Sequence, residues 1–97
     1  MIQTSPIYAV RVRIEGRVQG VWYRGWTVDQ ATARGLRGWV RNRLDGCVEA
    51  LFVGQEDDVR SMIAACREGP SHALVTRLEE FPDEDRGETG FRQLHTE

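Results

Sequence analysis

IYAVRVRIEGRVQGVWYRGWTVDQATARG, residues 7–35, changes its periodicity once, and the place of that change decides how the chain folds. From Ile7 to Ile14 the residues alternate, with Tyr8, Val10, Val12 and Ile14 on one face and Ala9, Arg11 and Arg13 on the other. This pattern predicts a half-buried strand. Glu15 to Val21 breaks the alternation with two glycines, Gly16 and Gly20, and Trp22 to Arg34 then reads as a helix in which Trp22 and Trp26 share a face. Gly25 weakens its first turn, and Gly35 stops it in the way a left-handed C-terminal position favours.

Working outward, Leu36 to Arg43 and Cys47 to Val53 read as two strands joined by a turn containing Asp45-Gly46, a hairpin. Gln55 to Glu68 reads as a second helix. Its apolar residues Val59, Met62, Ile63 and Cys66 recur at amphipathic spacing, with acids at the start and Arg67 at the end. Gly69-Pro70 terminates it. Ala73 to Phe81 supplies another strand, with Val75 and Leu78 inward around an imperfect alternation, and Phe91 to His95 adds a short edge strand after the polar loop Pro82 to Gly90.

The order strand, helix, strand, strand, helix, strand is the split βαβ pattern. It predicts an α+β ferredoxin-like sandwich, an antiparallel sheet with two helices on one face. Right-handed crossovers place the first and third strands side by side in the middle, which brings the loop after the first strand near the second strand. A chain of 97 residues, 40% hydrophobic, allows one core, so residues 1–97 are expected to form a single domain with an ordered core from about 7 to 95.

Charge narrows the chemistry. All 13 basic side chains are arginine and none is lysine. A lysine Schiff base, a lysine nucleophile and the lysine of a Walker-type loop are therefore excluded. Residues 1–48 carry eight arginines against Glu15, Asp29 and Asp45, whereas residues 49–97 carry five against twelve acids. That asymmetry points to an anion site in the first half, and the net charge of −2 argues against a protein that coats nucleic acid. No apolar run approaches the roughly 20 residues of a membrane span, and MIQTSPIYAV lacks the basic start and apolar stretch of a leader, so a cytoplasmic protein is expected. Cys47 and Cys66 match no metal spacing and read as buried reduced thiols.

The segment GRVQGVWYR, Gly16 to Arg24, can do something specific. Two glycines let backbone N–H groups converge just before a helix begins, which makes an anion nest, and Arg24 in the first helical turn can grip phosphate oxygens in a bidentate manner. A plain strand-to-helix turn with surface arginines is the alternative for one such motif alone. A second segment, GWVRNRLDGCVEALFVG from Gly38 to Gly54, carries Asn42 on the end of the strand expected to lie near that loop.

Together the two segments, Gly16, Val18, Gln19, Gly20, Val21, Tyr23 and Arg24 and then Gly38, Trp39, Val40, Asn42, Gly46, Val48 and Gly54, closely resemble the acylphosphatase family. The resemblance covers nearly the whole chain. It implies the same ferredoxin-like fold and an enzyme that hydrolyses the carboxyl-phosphate bond of small acyl phosphates. It further implies that the loop backbone of Gly16, Arg17, Val18, Gln19, Gly20 and Val21, with the Arg24 side chain, holds the phosphoryl group while Asn42 holds the attacking water. Neither metal nor cofactor is expected. Trp22 stands where a phenylalanine is common, and Pro82 to Gly90 is only loosely family-like.

Other residues read as structural. His72 and His95 lie outside both motifs, and Asp57 and Asp58, adjacent on a helix, point apart at an end where acids suit the dipole. Trp22, Trp26 and Trp39 are expected to pack between helix and sheet or to wall a pocket. The sheet lacks the exposed aromatic pattern of an RNA-binding RRM. A small acyl phosphate is thus the expected partner, with no nucleic acid or membrane, for a monomer. Two readings compete with the hydrolase: a non-catalytic anion-binding or regulatory module with the same fold, and a domain serving carbamoyl phosphate chemistry in a larger assembly.

Overall fold

A computed structural model describes residues 7–97; residues 1–6 of the expected domain lie outside it. The elements are β1 (Ile7–Arg17), α1 (Tyr23–Ala33), β2 (Arg37–Asn42), β3 (Val48–Gln55), α2 (Glu56–Glu68), β4 (Leu74–Pro82) and β5 (Phe91–Gln93). They build one five-stranded sheet in the order β4-β1-β3-β2-β5. β1 and β3 are the central neighbours, as the crossover argument requires.

Alternation sets the core. Val10, Val12 and Ile14 of β1, Val40 of β2 and Val48, Ala50 and Phe52 of β3 point to the face that the helices cover, where they meet Ala31, Val59, Met62, Ile63 and Cys66. α2 follows its sequence pattern closely: Gln55 precedes it in an extended conformation without a side-chain cap, Glu56, Asp57 and Asp58 occupy its first turn, and Val59, Met62, Ile63 and Cys66 are its buried stripe. Gly35, at φ 68°, closes α1, with Gly35 N–H donating to Thr32 O and Leu36 N–H to Ala31 O. In the β2–β3 turn, the Asp45 carboxylate accepts a hydrogen bond from Cys47 N–H and one from Arg13, which together hold its pKa down at about 2.

Four local readings need correction. Trp22 does not share a helical face with Trp26: it precedes α1 in a left-handed conformation (φ 66°) and is 63% exposed, and the buried stripe of α1 is Tyr23, Thr27 and Ala31. Trp39 lies on the sheet face opposite the helices, where the Arg41 guanidinium stacks on it at 4.9 Å. β5 joins the antiparallel sheet in parallel with β2, pairing Val40 with Gln93, because it returns to the edge after crossing the whole sheet. Finally, β1 runs three residues past Ile14, so Gly16 and Arg17 pair with Val75 and Leu74 of β4.

That extension explains the imperfect alternation of β4. The register shifts between Glu15 and Gly16, so Glu15 faces Arg77 while Gly16 faces Val75, and Val75 and Leu78 both reach the core despite being three residues apart. Gly16 is required there by close approach: a Cβ on it would lie 2.1 Å from Leu74 O, at a φ of 125°.

The polar segment between β4 and β5 is a strap over the face opposite the helices. Asp83 N–H donates to Ala9 O, Asp85 accepts two hydrogen bonds from Arg37, and Gly38 N–H donates to Gly90 O. Leu51 and Val53, which project to this face from β3, are thereby buried although no helix covers them.

Gly16→Ala is expected to lower stability by about 2–4 kcal/mol, combining backbone strain with a clash against a carbonyl. Gly87→Ala, at φ 81° with nothing within 4 Å of its Cβ position, is expected to cost only about 1 kcal/mol. Chemical denaturation of both variants checks the contrast, and equal losses would refute it.

Candidate active site

Antiparallel pairing brings the two motifs together. Ile14 of β1 stands opposite Val48 of β3, and Val48 stands opposite Asn42 of β2, so one row of the sheet carries the end of β2 and nearly the end of β1 at the same edge. Strand spacing of about 4.8 Å puts Asn42 about two strands from Ile14. Asn42 shares the helix-side face with Val40, beneath α1.

The loop from Val18 to Trp22 reaches across this gap. The Gln19 side-chain amide donates to Arg43 O and to Cys47 O, both at 2.8 Å, and so ties the loop to the turn that follows Asn42. Val18 is buried beneath it. Gly20, at φ 74°, turns the backbone where its missing Cβ would meet nothing, so the requirement there is conformational. Val21 packs partly against the core.

α1 starts directly after this loop. Tyr23 fixes its position: the ring is buried and its hydroxyl donates to Cys66 O at 2.5 Å, linking α1 to the last turn of α2. Arg24 then projects from the first turn, which holds no acidic residue. A cation at that end opposes the helix dipole. Nor does a carboxylate compensate it among the described residues, where the Arg24 hydrogen bond runs from Nη1 to Leu94 O at 3.4 Å. Arg11, Arg13, Arg37, Arg41 and Arg43 in the same half of the chain pair with acids, whereas Arg17 and Arg34, which do not, lie outside the cleft that Arg24 lines.

Between these parts lies a small open cleft of about 140 Å³, lined by Val18, Gly20, Trp22, Tyr23, Arg24, Gly25, Asn42 and Gln93. Pockets for drug-sized ligands run to roughly 300–1,000 Å³, so this one suits a group the size of a phosphoryl. Asn42 Oδ1 is buried and, alone among the buried side-chain nitrogen and oxygen atoms of the described residues, has no hydrogen-bond partner. An unsatisfied buried carbonyl costs about 1–3 kcal/mol, and a water or ligand in the cleft would relieve it.

The structure therefore brings Val18, Gly20, Arg24 and Asn42 into one cleft. Gln19 braces it, and Gly16 and Arg17 sit behind it in β1. Sequence reasoning missed Gln93, whose presence follows from the parallel pairing of β5 with Val40. A short strand at the chain's end carried no signal of which edge it would join. Among the described residues no cluster of three or more His, Cys, Asp or Glu side chains is placed to hold a metal ion. Cys47 and Cys66 are unpaired and buried, and burial raises both thiols, Cys66 to about 12, so neither offers a thiolate nucleophile near neutral pH. No described helix is long and apolar enough to cross a membrane.

Comparison with known proteins accords with this geometry. The acylphosphatase family model matches residues 10–93. An acylphosphatase of Rhodospirillum rubrum is 57% identical over 84% of this chain and 90% of its own length. One of Azorhizobium caulinodans is 49% identical over 92% of this chain and 97% of its own length. The crystal structure of acylphosphatase from Bacillus subtilis superposes with a TM-score of 0.87 at 33% identity, covering 92% of this chain and 99% of that one. Two motifs in one cleft, the five-stranded sandwich and these likenesses lead to one conclusion: this chain belongs to the acylphosphatase family.

Proposed function

We propose that this acylphosphatase works in the cleft between Gly20, Arg24 and Asn42. Its reaction is hydrolysis of the carboxyl-phosphate bond of an acyl phosphate. The observation that carries the assignment to this cleft is the pairing of two unsatisfied groups in it, an arginine with no carboxylate and a buried carbonyl oxygen with no donor.

Each group has a task. The Arg24 guanidinium and the N–H groups of the loop from Val18 to Val21, at the positive end of α1, hold the three peripheral phosphoryl oxygens and stabilise their charge as the bond loosens. A water donates one hydrogen to Asn42 Oδ1, which leaves its lone pair free to face phosphorus. Asn42 acts by orientation, since an amide is no useful base. The water oxygen bonds to phosphorus, the bond from phosphorus to the acyl oxygen breaks, and its electron pair leaves on the carboxylate. Both water hydrogens end on phosphate, so RCOOPO3 with two negative charges and one water give RCOO and H2PO4 with one negative charge each.

No general acid is needed at the leaving group, because the conjugate acid of a carboxylate has a pKa of about 4. His72 and His95, the only histidines, do not line the cleft. We propose that metal is dispensable because arginine and converging amides supply the charge that a cation would bring. The non-catalytic reading has no observation in its favour. We further propose one cytoplasmic, monomeric domain, a reading supported by the buried, unpaired cysteines and to be checked by cell fractionation and light scattering.

Arg24→Lys keeps the charge and discards the planar fork, and Asn42→Ala removes the water's acceptor. Each is expected to lower kcat for acetyl phosphate by about 100-fold or more, with the fold intact by circular dichroism. Wild-type-like turnover in either variant would remove that residue from the mechanism. Activity is also expected to persist in excess chelator and to fall sharply on ordinary phosphate monoesters, whose alkoxide leaving groups do need protonation. Loss on chelation would establish a metal requirement.

A further inference from the structure

Trp22 is the one described non-glycine residue with a left-handed backbone, and at 63% exposure its burial does not account for that strain. Its position does. The conformation lays the indole across Gly25, where a Cβ would come within 2.1 Å of Nε1, so the absence of a side chain at Gly25 makes the seat for the ring. The seated indole walls the cleft that holds Arg24 and Asn42.

In-line displacement adds a direction. Attacking water and leaving group lie on opposite sides of phosphorus. Asn42 Oδ1 is buried, so water held there attacks from the floor, and the carboxylate departs towards the open mouth, where Trp22 stands. The cleft itself is sized for the phosphoryl group, which leaves the acyl portion at the rim. The other exposed large apolar side chains near this end are Leu44, in the turn after Asn42, and Leu74, opposite Arg17.

Resting on the hydrolase reading above, we infer that Trp22 is a specificity-determining residue whose indole receives the acyl group, so the enzyme favours acyl phosphates with a planar aromatic acyl portion over small ones such as acetyl or carbamoyl phosphate. A flat apolar group covers the indole face and releases water from both surfaces, whereas a methyl or amino group covers little of it.

The test compares kcat/KM for benzoyl phosphate and acetyl phosphate in the wild type, Trp22→Phe and Trp22→Asn. Asparagine tolerates the left-handed backbone and removes the ring without rebuilding the loop. The wild type is expected to favour benzoyl phosphate by about five- to tenfold beyond the ratio of the two substrates' uncatalysed hydrolysis rates. Trp22→Phe should retain most of that preference and Trp22→Asn should abolish it, with inhibition by inorganic phosphate unchanged. A role confined to loop structure would instead lower both substrates together and weaken phosphate inhibition.

Calorimetric binding of phenacylphosphonate and acetonylphosphonate, in which CH2 replaces the bridging oxygen, gives a second readout that does not depend on turnover. Tighter binding of the phenacyl compound to wild type than to Trp22→Asn supports the inference. An equal ratio in wild type and Trp22→Asn, in either measurement, overturns it. Failure of the wild type to hydrolyse either acyl phosphate would fall on the hydrolase reading, and the phosphonate comparison would still judge the role of Trp22.

Discussion

Antiparallel pairing of β1 with β3, and of β3 with β2, is the constraint on which the site depends. It sets Ile14, Val48 and Asn42 in one row, so that a loop leaving β1 and a side chain ending β2 meet at one edge of the sheet although they are about 20 residues apart in sequence. A register shift of one residue would turn Asn42 to the face opposite the helices. The apolar sets of β1 and β3, buried against α2, make such a shift costly, and the hydrophobic core thereby fixes the geometry of a polar site.

Electrostatics divides the arginines into two populations. On the open sheet face, Arg11, Arg41 and Arg43 converge on Glu49, whose side chain is only 13% exposed, and Arg37 clasps Asp85. These side chains hold the strap and the β2–β3 turn in place. Arg17, Arg34 and Arg92 also lack a carboxylate among the described residues, but of the four without one only Arg24 lines the cleft, at the wrong end of a helix for a cation. Local rules are broken where a ligand completes the arrangement. Asn42 Oδ1 breaks a different rule in the same cleft, and an anion with a water would satisfy both at once.

The strap from β4 to β5 connects the two faces. By crossing over Leu51 and Val53 it covers the side of the sheet that has no helix, and by returning along β2 it delivers Gln93 to the cleft and Leu94 O to Arg24. A segment that reads as polar loop is thus part of both the core's cover and the site's frame.

Much of this was legible in the sequence. Period-two alternation from Tyr8 to Ile14, the amphipathic spacing of α2, Gly35 and Asp45-Gly46 are local signals, because each reports one face of one element or one backbone conformation. The two motifs named Arg24, Asn42 and the loop residues. Other features required tertiary structure. Trp22 read as either packed between helix and sheet or walling a pocket, and only the structure decides for an exposed wall of the cleft, since the direction of a side chain just before a helix depends on a backbone angle that periodicity does not encode. Gly16 read as part of the loop but lies in β1, because β4 comes close enough to exclude a Cβ. Trp39 took the opposite face, and β5 ran parallel to β2. Sequence patterns determine which residues seek burial; which partner buries them, and which groups are left without one, is decided only when segments far apart in the chain compete for the same sheet edge.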